Sequence, residues 1–375
     1  MLLLEKYFAD ISHEGKNAES YRDLKYIKIL RYCLAVMYIW PCRELGERVN
    51  KFWMCRISIG YRKKYRNLAA EFFSKIHLFH HKHKSDFAME IHIKVHKMSH
   101  VGTIYMVILM IVGVLGFNLI VIYTTYSKGM FDRNLPENFT IVYDHAVYYM
   151  LPFDYTGNLK GYLVVNVLNW YISFYCTLGL CVFDLYLFVM VFHVWGHFKI
   201  LLFNLESFPK PKDVMFSESE NKLVGKSIRE CVNDHRYITS YIKIMSSEFG
   251  PVIFIYHAFH LVVCCLLLLQ CSRMNAEALL RYGPLTVGVF QQLIQISLVF
   301  EALGTMNEKL ITAVYDVPWE SMDRPNRIMV QFFLLNTQEP VQVKAMGVVD
   351  VGVSTMAKIL KTSFSYFTFL KTMDG

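Results

Sequence analysis

The chain has 375 residues, 39 Lys plus Arg against 31 Asp plus Glu for a formal net charge of +8, and 54% hydrophobic but only 19% charged residues. A soluble globular chain carries about 25% charge and about 45–50% apolar residues, so this composition excludes an ordinary soluble domain. The positive balance comes from basic loops, and no phosphate loop, G-x-S-x-G turn or dinucleotide fingerprint is present, so neither nucleic-acid binding nor enzyme chemistry nor a cofactor is indicated.

In chain order, "MLLLEKYFADISHEGK" is too short in its apolar part to read as a cleavable signal. "LKYIKILRYCLAVMYIW" is amphipathic and fits either a short first span or a helix lying in the membrane interface. "NKFWMCRISIGYRKKYRNLAAEFFSKIHLF" is too charged for a clear second crossing. Seven of the 14 histidines crowd into "HLFHHKHKSDFAMEIHIKVHKMSH". His92 and His96 are one helical turn apart, but no carboxylate or thiol joins them at a ligand spacing. The run therefore reads as a basic, solvated stretch facing anionic lipid heads, not a metal site.

Val101 to Tyr126 then carries no charge, enough residues at about 1.5 Å each to cross roughly 30 Å of hydrocarbon. Further apolar runs extend from Gly161 to Phe192, interrupted only by Asp184, from Phe249 to Cys271, from Gly283 to Phe300, and from Ala345 to Leu370. Backbone groups in lipid must pair within their own segment, so the expected fold is all-α, a polytopic membrane helical bundle. Five spans are clear and one or two more are expected in the first hundred residues. Asp184, Glu301, His257 and His260 fall in or near hydrocarbon, where they need partners or water; the two carboxylates are expected to brace the inner ends of their spans. Nine cysteines, several inside spans and none in a C-x-x-C pair, argue against a disulfide framework.

Pro41 to Val101 holds thirteen basic against five acidic residues, and Ser127 to Lys160 three against four. Basic loops stay in the cytosol, which puts 127–160 outside, 193–248 and 306–340 inside, the N-terminus in the cytoplasm and the C-terminus outside. The sequon Asn138-Phe139-Thr140 falls in the external loop, making Asn138 a glycosylation candidate. This orientation is the reverse of a G-protein-coupled receptor, and no internal repeat or paired broken helices of a transporter kind is apparent. The expected organisation is a cytoplasmic N-terminal region over 1–101, a membrane bundle over 102–305, and an inner segment plus last helix over 306–375.

Projected at about 100° per residue, Thr355, Lys358, Thr362, Phe369 and Met373 form one stripe of the last helix, opposite Met356, Leu360, Phe364 and Phe367. A charge at the bilayer centre costs at least about 2.5 kcal/mol, so the stripe faces protein or water. Either its hydroxyls bond to the preceding turn while the lysines snorkel, or it walls an aqueous path.

"MLPFDYTGNLKGY" at Met150 to Tyr162, "ECVNDHRYI" at Glu230 to Ile238, and the stretch from Ala313 to Leu370 with its Tyr315 to Trp319 spacing, Gln338-Glu339-Pro340 and closing "ILKTSFSYFTFL" resemble insect odorant receptors. The resemblance runs from about Lys97 to the C-terminus; before it, only about sixty mostly polar residues separate Pro41 from Gly102, where the family has two full helices. It implies a seven-helix fold with a cytoplasmic N-terminus, forming an odorant-gated non-selective cation channel in which the last helices of four subunits surround the pore. By position, Phe369 and Met373 match the apolar constriction and Thr372 the polar residue beside it. The implied partners are a shared co-receptor in a heterotetramer, membrane lipid, and a small volatile odorant. Assembly would run through Tyr315 to Val343, with Tyr315, Trp319, Gln338 and Pro340 as anchor residues. The implied ligand pocket occupies the outer half of the bundle, where Phe117, Ile120, Tyr123, Tyr171, Phe174, Tyr175, Leu178, Phe290, Gln291 and Ile294 are the candidates. A gustatory receptor of the same superfamily, conducting as a homomer, is the alternative, followed by a G-protein-coupled receptor.

Overall fold

The computed structural model describes residues 2–36, 40–42, 44–45, 59–131, 142–272 and 276–374. Among these, the chain forms α1 (Leu2–Asn17), α2 (Lys25–Val36), α3 (Ile59–Glu71), α4 (Asp86–Ser127), α5 (Leu159–Glu206), α6 (Glu218–Ser272), α7 (Ala276–Tyr315), α8 (Arg324–Thr337) and α9 (Val353–Asp374), with one two-stranded hairpin, β1 (Lys344–Ala345) and β2 (Val349–Asp350). α4, α5, α6 and α7 are long and apolar enough to cross a membrane. The described part of α2 has 12 residues, about 18 Å of helix, which is short of a crossing.

The run expected as one span from Ala345 to Leu370 divides in two. Its first residues form the hairpin, where Ala345 pairs with Val349 and Lys344 with Asp350. Met346 and Gly347 both take positive φ, 51° and 73°, and Val348 N–H closes the turn on the Ala345 carbonyl, the pairing a tight hairpin turn requires. The helix starts only at Val353. Gly250-Pro251 and Gly283-Pro284 both lie inside continuous helices, α6 and α7.

The chain divides into two compact units. The first comprises Met1–Gly102, Tyr186–Ala258 and Ile294–Lys358; the second comprises Thr103–Leu185, Phe259–Leu293 and Ile359–Gly375. Each takes one part of every long helix.

In the first unit the expectation of a solvated histidine run is overturned: His77, His92, His96 and His100 are buried, as is His193 on α5. The N–H of Phe79 donates to His77 Nδ1 and that of Leu78 to His193 Nδ1. Both imidazoles must then carry their proton on Nε2, and both Nε2–H groups point to the hydroxyl of Tyr26, at 2.6 and 3.1 Å. A neutral imidazole has one donor and one acceptor, and here both are spent, leaving no lone pair for a cation. Burial, then the neighbouring histidines, hold His77 well below its usual range. Gly15 of α1 lies against the His96 ring, where a Cβ would come within 2.8 Å, and the Gly15 carbonyl pairs with His92 Nε2. Histidines unsuited to lipid thus pin α1 and α2 onto α4 and α5.

β1 docks on α6 through Ser246, whose Oγ accepts from Lys344 N–H at 2.9 Å. One turn on, Gly250 leaves room for the strand, since a Cβ there would stand 2.7 Å from the Lys344 carbonyl oxygen. Asp323 caps α8 by accepting from Asn326 N–H, and Asn326 Nδ2 donates to the Asn221 carbonyl of α6. At the far end of α8, Asn307 of α7 donates to the Thr337 carbonyl.

Candidate functional site

The first element to place is α9. Ile359 and Ser363 face inward, and Ser363 Oγ donates to the Leu261 carbonyl of α6 at 3.2 Å. Phe364 touches Phe290 of α7 with ring centroids 6.4 Å apart. Lys358, Lys361, Ser365, Thr368, Phe369 and Thr372 are exposed. Among the described side chains, a polar, lysine-bearing face with Phe369 60% exposed is therefore left uncovered by the chain itself. Thr362, on the sequence-derived stripe, is half-buried. Met373 lies within α9, but its side chain is outside the description, as is Asn138.

The start of α9 is fixed by Glu301 of α7. Its Oε2 accepts from Val353 N–H at 3.0 Å. Gly352 lets it approach, because a Cβ there would stand 2.6 Å from that same oxygen. The first N–H groups of a helix lack internal partners and carry the positive end of its dipole, so the carboxylate stabilises the α9 start while tying it to α7. Asp184, His257 and His260 are buried.

The aromatic pocket candidates fall on different faces. Tyr123, Tyr171, Phe174, Tyr175 and Ile294 are exposed; Phe117, Ile120, Phe290 and Gln291 are half-buried; Leu178 is buried. Tyr171 and Tyr175 pack together with centroids 4.7 Å apart. Ile294 belongs to the first compact unit and the others to the second. What lies inward on α4 is Val114, Asn118, Val121 and Thr125, and on α5 Tyr162, Val165 and Asn169, all buried.

These inward faces carry polar groups that the aromatic search missed. Asn118 Nδ2 donates to the Val114 carbonyl and to Ser173 Oγ, both at 2.8 Å, while its buried Oδ1 has no protein donor. Exchanging the amide ends would set Oδ1 against the Val114 carbonyl, so the orientation is fixed. The segment 142–158 supplies Tyr149, whose hydroxyl donates to Asn169 Oδ1 at 2.7 Å, and Tyr155, whose hydroxyl accepts from Tyr149 N–H and donates to the Tyr149 carbonyl. Lys128 pairs with Asp144 at 2.7 Å. The i, i+4, i+7 spacing of Val114, Asn118 and Val121 was the available signal.

Of the anchor candidates, Tyr315 is 60% exposed at the end of α7. Trp319 is half-buried in a 3₁₀ turn, and Gln338 and Pro340 are exposed after α8. A groove of about 640 Å³ opens between α6 and α8, with Pro340 on its wall. Among the described residues, no group of three or more His, Cys, Asp or Glu is arranged to hold a metal ion.

Fold and site together define a polytopic α-helical membrane protein whose last helix offers an unpaired polar face. The family model described as 7tm Odorant receptor matches residues 59–364, beginning well before Lys97, and the chain belongs to that family, one of receptors and not of enzymes. It is 24% identical over 157 residues to Odorant receptor 10 of Aedes albopictus, covering 40% of this chain and 41% of that one. Against Odorant receptor 67a of Drosophila melanogaster it is 23% identical over 198 residues, covering 52% and 48%. The chain thus spans less than half the length of these relatives in the matched stretch. The structure of the insect olfactory receptor OR5 from Machilis hrabei in complex with eugenol superposes with a TM-score of 0.63 at 13% identity, covering 99% of both chains; that likeness is one of fold.

Proposed function

We propose that this chain is the odorant-binding subunit of a heteromeric, odorant-gated, non-selective cation channel, assembled as a tetramer with a shared co-receptor in the plasma membrane of olfactory neuron dendrites. The observation that carries the reading is the uncovered polar face of α9 in a member of the odorant receptor family. Lysines and hydroxyls on a membrane helix need water or protein against them, and a pore shared with other subunits supplies water. Loop charge supports a cytoplasmic N-terminus and an external C-terminus. In this orientation Phe369, Thr372 and Met373 lie near the external end, where bulky apolar side chains close a path by excluding water.

The odorant site is built from the inward faces of α4 and α5, with Phe117, Ile120 and Leu178 as apolar wall and Asn118 and Ser173 as the polar group a small pocket needs. An odorant that fits the open arrangement better than the closed one shifts the population toward it, and the Glu301 link from α7 to the start of α9 is a route for that shift. Tyr315, Trp319, Gln338 and Pro340 lie on the surface available to neighbouring subunits. Expression with and without the co-receptor, recording volatile-evoked current, tests the reading. Current only from the pair supports it; robust current from this chain alone contradicts the heteromer, and current abolished by blocking G-protein signalling contradicts the channel.

A further inference from the structure

The seat of α1 and α2 on the rest of the first unit is built on bases. His77 and His193 lie with ring centroids 4.1 Å apart, each with Nδ1 taken by a backbone N–H and Nε2 by the single hydroxyl of Tyr26 on α2. His92 holds the Gly15 carbonyl of α1 through Nε2, and its buried Nδ1 has no partner. Lys82 donates to the Ala18 carbonyl, just past the end of α1, at 2.8 Å. The groups around the histidine pair are alike in sign. Burial first, then His193, His92, His80 and His96, disfavours the charged form of His77, and Tyr21 lies 5.9 Å from the same ring. His197, one turn on from His193, is spent on the Ile76 carbonyl. Two carboxylates lie near the cluster. Glu14 of α1 is engaged by the backbone N–H and Nζ of Lys25, and Asp234 of α6 sits with His81 and Lys84.

A further proton on either ring of the pair has one place to go, Nδ1, where it meets the N–H already bonded there. The acceptor becomes a donor, so the bond from Phe79 or Leu78 N–H is lost, and a second charge would stand 4.1 Å from the first. A buried charge left uncompensated is strongly destabilising. Lifting α2 away takes Tyr26 with it and lets water reach both rings, which then take up their protons at about the ordinary histidine value of 6.5. We propose that this seat is an acid-sensitive latch, in which proton uptake by His77 and His193 releases α1 and α2 from α4 and α5 on the side that loop charge assigns to the cytosol. The open state binds at least two more protons than the closed one, so the latch is shut above about pH 6.5 and opens as pH falls below it. Two protons taken up at that value raise the opening about 100-fold between pH 7.5 and 5.5, where a single proton would raise it about tenfold. This inference does not depend on the odorant reading.

The test uses the full chain in phosphatidylcholine nanodiscs and hydrogen exchange read by mass spectrometry at pH 7.5, 6.5 and 5.5, with labelling times scaled to the intrinsic exchange rate. Peptides from α1 and α2 should lose protection by about 100-fold or more from the highest pH to the lowest, while peptides from α6 and α8 keep theirs. Tyr26→Phe, which removes the shared acceptor, should loosen α1 and α2 already at pH 7.5. The double change His77→Gln, His193→Gln keeps an acceptor and a donor at each site but takes up no proton, so the loss of protection should shrink to about tenfold or less. A loss of about tenfold or less in the wild type overturns the proposal, as does an equal loss in α8, which would be global unfolding. An undiminished loss in a folded double variant overturns it as well, by assigning the protons to other groups. Should the double variant fail to fold, the steepness in the wild type decides alone.

Discussion

The Glu301 clamp gives the sharpest prediction. Glu301→Ala removes the acceptor 3.0 Å from Val353 N–H and the negative charge facing the α9 start. Losing a cap costs about 0.5–2 kcal/mol and losing the dipole contact about 0.3–1 kcal/mol, so about 1–2 kcal/mol is expected, a factor of about 5–30 in any equilibrium that needs the clamp. Gly352→Ala should have a similar effect by a different route, because the new Cβ would stand 2.6 Å from the carboxylate oxygen and push it off the helix end. The two changes act on one contact. Adding Gly352→Ala to Glu301→Ala should therefore cost little more, giving a coupling of about 1 kcal/mol in a double-mutant cycle. The assay is the midpoint of the odour dose-response in the heteromer, alongside the thermal midpoint of purified protein. Additive effects, or a Glu301→Ala variant indistinguishable from wild type in both, would refute the clamp.

Phe369→Ala should produce leak current or altered permeation in the heteromer with surface expression preserved; unchanged conduction removes Phe369 from the constriction. Asn118→Leu removes a buried acceptor without a protein donor together with the two hydrogen bonds that Nδ2 donates, terms of opposite sign and about 1 kcal/mol each, so the thermal midpoint should change little, while responses to hydroxyl-bearing volatiles should fall more than tenfold relative to hydrocarbons of the same size. An unaltered ranking of volatiles in the dose-response panel counts against Asn118 as a ligand contact. His77 is held neutral in the folded chain while the unfolded chain regains the usual histidine value. Its contribution is therefore fully present above about pH 6.5 and declines as pH falls below it, by up to about 1.4 kcal/mol per pH unit; the loss of thermal midpoint between pH 7.5 and 5.5 should be smaller in His77→Gln. Met346 has φ 51°, a conformation that costs a non-glycine residue about 1–2 kcal/mol, so Met346→Gly should raise the thermal midpoint, and a lowered one contradicts the strained turn.

Much of this fold is legible in the sequence because lipid imposes a simple rule: uncharged runs of spanning length become helices. That rule finds α4, α5, α6 and α7. It misplaces the start of α9, where Lys344 to Asp350 is apolar enough to extend the run but carries a glycine turn and docks as a hairpin on Ser246 and Gly250. It also misreads the histidines, whose polarity suggests solvent: His77 is satisfied by Tyr26 and a backbone N–H, and His193 by Tyr26 and another, through contacts made across 51 and 115 residues of chain. In the candidate pocket, composition directs attention to aromatics, yet Tyr123 and Tyr171 are 62% and 61% exposed. The inward stripe is marked instead by Asn118 and Asn169, costly in an apolar setting unless partnered. The Glu301 contact depends on a glycine's missing Cβ, and periodicity carries no information about that.

The claim that the open face of α9 borders water is tested most directly by cysteine accessibility in the conducting heteromer, in a background where the native thiols give no response. Ser365→Cys and Thr372→Cys should be modified by a small charged thiol reagent applied from outside, with loss of current that accelerates during odour application, while Ser363→Cys, buried against Leu261, should stay unmodified. Protection of Ser365→Cys and Thr372→Cys in both resting and stimulated channels, or modification of Thr372→Cys only from the cytoplasmic side, would contradict the account.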